Sequence, residues 1–437
     1  MTPPWRSCGQ ERTDAHQHRM ALTSPFPRID GELWAGERRV TELVAEFGTP
    51  LYVYDAGVIE AAYRRIEAAF SGVDLLIAYS VKANSNLEIL RRLKALGAGA
   101  DIVSLGELHR CLAAGISAND MVFAGVGKTE EEMEAALDAG ILAFNVESAE
   151  ELQVLGRVAT RLGKPAPIAL RVNPDIVADT PHEYTRTGHG ATKFGIPVDQ
   201  VLDLYRSAAD HPMLEIRGID VHIGSQIMEP APYEKALDQV LRLAAEARAE
   251  GIDLDFLDLG GGYGVGYDEE DGMSVEDLAA IVVPRVAETG MRLILEPGRF
   301  IVGEAGILVT EVLYVKRSGS KTFVIMDGGM TDLIRPSHYQ GFHRIEPVVS
   351  RDEAAHEIVD VVGPICETGD FLARDRSLQM PAHGDLLAVH TVGAYGFVMA
   401  SNYNSRRKPA EIVVDGAEVV LARRRESLDD LLLGETL

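Results

Sequence analysis

Cysteine is nearly missing from this chain: its 437 residues contain three, Cys8, Cys111 and Cys366, an odd number with no C-x-x-C spacing. That excludes a disulfide framework and offers no zinc-ligand pattern, and a reducing cytoplasm is the expected compartment. No Lys/Arg-rich run is long enough to track a phosphate backbone, and 67 acidic residues against 42 basic ones leave a formal net charge of -25. Neither nucleic acid nor an anionic membrane surface is an expected partner. No apolar run approaches the ~18–20 residues that span a bilayer. The N-terminus lacks the basic-then-apolar order of a secretion signal. Residues 1–27 are polar and contain proline, and are read as a disordered extension or an upstream start.

What is present is ordinary globular composition, 46% hydrophobic and 25% charged, over a length that suits two sizeable domains. The apolar run 75–80 leads straight into Val81-Lys82-Ala83-Asn84. A lysine after a buried strand either snorkels to the surface or has its amine desolvated, which depresses the pKa as a Schiff-base lysine requires.

From there short β-branched runs alternate with amphipathic stretches. Strands are predicted at 75–81, 100–103, 121–124, 142–146, 168–172, 216–221, 254–259 and 292–295, and helices at 86–97, 105–114, 129–139, 148–162, 197–209, 231–250 and 274–289. This alternation fits a closed (β/α)8 barrel, with an open doubly wound sheet as the alternative. The barrel is favoured because nearly every run ends in a reactive or polar group: Lys82, Ser104, Glu147, Arg171 with Asn173, His222, the glycines 260–262, and Glu296. A barrel gathers such strand ends at one mouth. Beyond about residue 305 the helical period stops. Runs at 307–315, 322–326, 358–362, 386–391 and 411–420 then predict a β domain, into which residues 51–54 can pair. The expected division is a barrel over 50–304 and a β domain from 28–49 and 305–437.

Four groups carry chemistry. Lys82 is one. Gly260-Gly261-Gly262-Tyr263-Gly264 ends a strand and can turn backbone N–H groups toward an anion, although it lacks the G-x-G-x-x-G spacing of a dinucleotide site. His222 opens His222-Ile223-Gly224-Ser225-Gln226; it is either a hydrogen-bonded structural histidine or a ring lying against an aromatic cofactor. Glu296-Pro297-Gly298-Arg299 is either a surface turn or a carboxylate for a ring nitrogen with an arginine fork beside it. Together they describe a site for pyridoxal 5'-phosphate.

These motifs resemble the fold-type III pyridoxal-phosphate decarboxylases from about residue 30 to the end of the chain. Asp332-Leu333-Ile334-Arg335-Pro336, Gly363-Pro364-Ile365-Cys366-Glu367-Thr368-Gly369-Asp370 and Gly393-Ala394-Tyr395-Gly396 narrow the resemblance to the branch acting on meso-2,6-diaminopimelate. The resemblance implies an alanine racemase-like fold, with an α/β barrel followed by a β-sandwich or β-barrel domain. It implies conversion of meso-diaminopimelate to L-lysine and CO2, the last step of lysine biosynthesis, by a homodimer with shared active sites and no metal. Carried over by residue, Lys82 forms the internal aldimine and His222 stacks on the ring. Ser225, Gly260, Gly261, Gly262, Gly298 and Arg299 surround the phosphate, and Glu296 pairs with the ring nitrogen. Arg299, Arg335, Tyr339 and Glu367 read the substrate, Tyr395 touches cofactor and substrate, and Cys366 donates a proton from the partner subunit. A substrate-covering loop is implied at 179–188, where Glu183 and Arg186 are unexpected charges.

Two other readings compete with this one. One is a different activity on the same scaffold, an ornithine, lysine or carboxynorspermidine decarboxylase or a racemase. A racemase needs a second acid/base, usually tyrosine, and none matches. The other is a catalytically dead binding protein, against which stand Lys82, the glycine turn, Glu296 and Cys366.

Overall fold

The computed structural model describes residues 24–176, 188, 192–268, 270–351 and 355–436. Glu183 and Arg186 and most of the 1–27 segment lie outside these.

Eight parallel strands, Leu75–Ser80, Gly99–Ile102, Met121–Phe123, Ala143–Val146, Ala166–Asn173, Leu214–Val221, Phe256–Asp258 and Arg292–Leu295, close into a barrel when the last pairs with the first. The closed barrel is the architecture favoured above, and the open sheet is excluded. Helix ends coincide with local signals. Asn86, Ser104, Ser148 and Ser274 each accept a backbone N–H at a helix start, and Thr129 with Glu132 forms a capping box. Ser104, read above as a strand-end reactive group, is thus occupied as an N-cap.

Strand alternation sorts the barrel residues into two sets. Leu76, Ala78, Val122, Ala143, Ala169, Phe256 and Ile294 form a small separate apolar cluster inside the barrel, while Ile77, Tyr79, Ile102 and Phe144 join the main core against the helices. Two residues further along the inward set the side chains turn polar: Ser80, Asp101, Asn145, Arg171, Asp220, Asp258 and Glu296, all buried. Strand register sets Ser80 beside Asp101, and Arg171 beside Asp220 beside Asp258. The apolar plug closes one end, and the polar layer floors the mouth.

The second unit is built on the long strand Gly306–Ser318, which pairs with Leu51–Asp55, Leu386–Val389 and Lys321–Met326. Leu51–Asp55 also pairs with Ala410–Asp415, so the start and end of the described chain share one sheet. The single strand expected at 411–420 is instead a hairpin, Ala410–Asp415 and Glu418–Arg423, because Gly416-Ala417 makes the turn, with Gly416 at positive φ. Phe371–Gln379, Arg28–Ile29, Glu32–Ala35 and the helix Val40–Phe47 were not anticipated. Hydrogen bonds join the two units at the lysine: Tyr395 N–H donates to the carbonyl of Ala83 at 2.8 Å, and the side-chain Nδ2 of Asn84 donates to that of Gly393 at 2.9 Å.

Candidate active site

A cavity of about 560 Å³ opens where the barrel mouth meets the β unit. Of the predicted residues, Lys82, His222, Ser225, Gly262, Glu296, Gly298 and Arg299 reach it from the barrel, and Arg335, Tyr339 and Tyr395 from the β unit. Gly260 and Gly261 belong to the same turn without lining it. A second hollow of about 600 Å³, beside Asp199, Arg242 and Glu246, brings together none of the predicted site residues.

Lys82 sits on a single 3-10 turn, Val81–Ala83, directly after the first barrel strand. Its Nζ lies 2.7 Å from Oδ2 of Asp101, which also accepts the Ser80 hydroxyl at 2.6 Å. Burial works against the ammonium, but Asp101, Glu296 and Tyr395 outweigh it and push the Lys82 pKa upward. The depressed lysine expected from the strand position is therefore corrected: the acidic floor holds the free amine as an ammonium.

Glu296 and its neighbours oppose one another. Its carboxyl is driven well above the usual range by burial and by Asp101, Asp258 and Asp220. Carboxylate oxygens of Asp220, Asp258 and Glu296 lie within 4.8 Å of one another. Like charges this close cannot all ionise, so the cluster retains protons. Burial also pushes Asp258 up to about 7, opposed by the N–H of Gly260. Unfolded aspartate titrates near ~3.9. The native proton on Asp258 therefore stabilises the fold fully below that value, and the contribution is lost as pH rises through about 7. Asp258→Asn stays neutral throughout. Its thermal midpoint relative to the parent is expected to climb from about pH 5 to about pH 8, as read by scanning fluorimetry of cofactor-free protein. A difference independent of pH would contradict this assignment.

His222 is held neutral, its pKa lowered by burial and by the nearby Arg171 and Lys82 cations. Gly261 N–H donates to its Nδ1 at 3.3 Å, and that nitrogen lies 3.7 Å from Glu296 Oε2. The glycines are sterically required: a Cβ on Gly261 would meet the Glu296 carbonyl oxygen at 1.9 Å, and one on Gly262, at φ +100°, that of Gly224 at 2.1 Å.

Arg299 starts the short helix Arg299–Val302. It donates to Ser225 Oγ at 3.2 Å and to the Tyr267 hydroxyl, and its Cζ lies 4.8 Å from the Tyr395 ring centre. Arg335 donates to His343 Nε2 at 2.9 Å and lies 4.8 Å above the Tyr267 ring. Arg299 and Arg335 are 7% and 8% exposed as residues, yet neither forms an ion pair with a carboxylate among the described residues. Buried arginine without an anion is costly, so the pair suits an anionic ligand. Tyr339 is half-buried at the rim, and His338, unassigned from sequence, meets it edge to face at 4.5 Å.

Besides Gly260 and Gly261, the predicted residues Cys366 and Glu367 do not line this chain's own cavity. Both are exposed on a turn shaped by Asp370, which accepts Ile365 N–H and Met330 N–H at 2.6 Å each. Sequence reasoning missed Asp101, Asp220, Asp258, Tyr267 and His343. An acid at an inward position of an apolar strand, as in Ala100-Asp101-Ile102 and Leu257-Asp258-Leu259, was the available signal for the first three.

Residues 56–303 match the family described as pyridoxal-dependent decarboxylase, pyridoxal binding domain. The chain is 48% identical over 412 residues to a diaminopimelate decarboxylase of Pseudomonas aeruginosa, covering 94% of this chain and 99% of that one. It is 50% identical over 408 residues to one of Pseudomonas fluorescens, covering 93% and 97%. The crystal structure of Helicobacter pylori diaminopimelate decarboxylase complexed with L-lysine matches with a TM-score of 0.87 at 42% identity, covering 90% of this chain and 98% of that one. With likeness at this level over both units, the chain belongs to the diaminopimelate decarboxylases, pyridoxal-phosphate-dependent enzymes.

Proposed function

We propose that the protein removes one carboxylate from meso-2,6-diaminopimelate in the cytoplasm, giving L-lysine and CO2, with pyridoxal 5'-phosphate bound in the 560 Å³ cavity. The observation carrying this reading is the pair of buried arginines, Arg299 and Arg335, free of carboxylate partners among the described residues and opening on the same cavity as Lys82. Diaminopimelate has a second amino-acid centre whose carboxylate matches a guanidinium fork. Ornithine has none and would leave a buried cation unpaired.

The donor set fits the cofactor. Lys82 supplies an amine for its aldehyde. The glycine turn, Ser225 and Arg299 supply N–H, hydroxyl and guanidinium donors for the phosphate, and Arg299 Nε meets no acceptor among the described residues. Once bound, pyridoxal phosphate supplies the electron sink for the pair left behind by CO2.

The protein's groups then divide the work. Asp101 takes the Lys82 ammonium whenever that amine is free, which keeps it beside the reacting centre. Glu296 would hold a proton at the ring nitrogen: burial and the neighbouring acids keep its carboxyl protonated until that nitrogen is there to share the proton. His222, held neutral, would lie against the ring and add no charge. Arg299, Arg335 and Tyr339 hold the end of the substrate that does not react, and Tyr395 borders both ends.

Cys366 and Glu367 act from the partner subunit of a homodimer, Cys366 protonating the α-carbon and Glu367 meeting the distal ammonium. Their exposure, away from this chain's own cavity, supports the arrangement. The division into a cofactor-binding barrel, 50–304, and a β unit, 28–49 with 305–437, belongs to the same reading, with Leu51–Asp55 passing to the β unit by its pairing.

Shared sites make a direct test. Lys82→Ala and Cys366→Ala homodimers are each expected to be nearly inactive. Subunits mixed and reassociated should recover about one quarter of parental CO2 release, since about half the dimers are mixed and each holds one intact site. No recovery, with exchange verified by tagged subunits, would contradict a partner-supplied Cys366.

A further inference from the structure

We propose that His343 and Tyr267 are positioning residues that aim the two arginines at the substrate's distal carboxylate while leaving their charge unspent, and so set substrate choice. The inference rests on the reading of the site given above.

A buried guanidinium must be hydrogen-bonded to be tolerated, and the simplest partner is a carboxylate. Here the partners are neutral instead. Guanidinium is donor-only, so His343 Nε2, 2.9 Å from Arg335, has to accept. That fixes the proton on Nδ1, which donates to the His390 carbonyl at 2.8 Å. His343 is 0% exposed, with burial and Arg335 both holding its pKa well below the ordinary value, so the imidazole stays uncharged.

Tyr267 serves both arginines. Its hydroxyl accepts from Arg299, its face lies 4.8 Å from Arg335, and its ring meets His343 edge-on at 5.2 Å and 90°. A carboxylate at either place would orient the guanidinium equally well but would compete with the substrate's anion. A neutral acceptor orients without competing.

The experiment uses holoenzyme loaded with pyridoxal phosphate and compares the parent with His343→Phe, His343→Gln and Tyr267→Phe. L-Lysine, which keeps the carboxylate, and cadaverine, which lacks it, serve as inhibitors. His343→Phe is expected to raise KM for meso-diaminopimelate about tenfold or more, with kcat within about threefold. L-Lysine inhibition should weaken by a similar factor while cadaverine inhibition holds. His343→Gln, which restores an acceptor near Nε2, should recover most of the loss. Tyr267→Phe removes one hydroxyl and should show the same split, which keeps the test decisive should His343→Phe not fold.

Unchanged KM and L-lysine inhibition would overturn the proposal. So would equal losses toward both inhibitors with no rescue by glutamine, the mark of a merely structural role. A parent enzyme inhibited equally by L-lysine and cadaverine would instead overturn the distal-carboxylate reading beneath it.

Discussion

Lys82→Ala is expected to lose decarboxylation by about 10⁴-fold or more and to show no borohydride-sensitive Schiff-base absorbance. The size of the effect follows from where the amine sits. It is carried on the turn Val81–Ala83, pinned by Tyr395 N–H on the Ala83 carbonyl, and it is the lysine that approaches the acidic floor through Asp101. Truncation should also destabilise the fold, since it strands a fully buried carboxylate whose remaining side-chain donor is Ser80. The double variant Lys82→Ala/Asp101→Asn separates the two consequences. It should regain most of the lost thermal stability and none of the turnover. Absorbance spectra, CO2 release and thermal midpoints of the three proteins check this, and substantial turnover by either variant would remove Lys82 from the chemistry.

Arg335→Ala carries the second large effect. Arg335 is 8% exposed, its guanidinium is hydrogen-bonded to His343 and lies over the Tyr267 ring, and it has no carboxylate partner among the described residues, so a substrate carboxylate would bind it largely desolvated. Losing a charge-assisted, bidentate contact in such a place costs about 2–5 kcal/mol, which corresponds to a KM for meso-diaminopimelate raised by about 30-fold or more. L-Lysine as inhibitor should weaken in parallel. Steady-state kinetics on parent and variant give the answer, and unchanged Michaelis parameters would remove the distal-carboxylate argument.

The barrel was legible because two local signals alternate along it: continuous apolar, β-branched runs for strands that are buried on both faces, and amphipathic stretches for the helices between them. The strand-end groups were legible for the same reason, since a polar residue closing an apolar run has only the mouth to face. What lay beyond reach depended on register. Asp101 and Asp258 read as interruptions of apolar runs until strand pairing turns them inward beside Ser80 and Asp220. The sign of the Lys82 shift went wrong for this reason: strand position gives desolvation, but the opposing charge comes from Asp101 on the neighbouring strand.

The β unit was harder. Arg374-Asp375-Arg376 breaks the apolar alternation of Phe371–Gln379, and Asp375 takes a positive φ there, so no clean strand pattern survives. Tyr267 and His343 belong to different units and acquire meaning only where the barrel mouth and the β unit face each other. No spacing rule links them. Cys366 and Glu367 were found by resemblance alone, and on this chain they are simply exposed.

CO2 release from meso-diaminopimelate, L-lysine and L-ornithine, measured side by side on the purified protein with pyridoxal phosphate, tests the proposed reaction most directly. The expected result is release from diaminopimelate alone, with L-lysine as the product. Release from L-ornithine or L-lysine, with diaminopimelate left untouched, would contradict it.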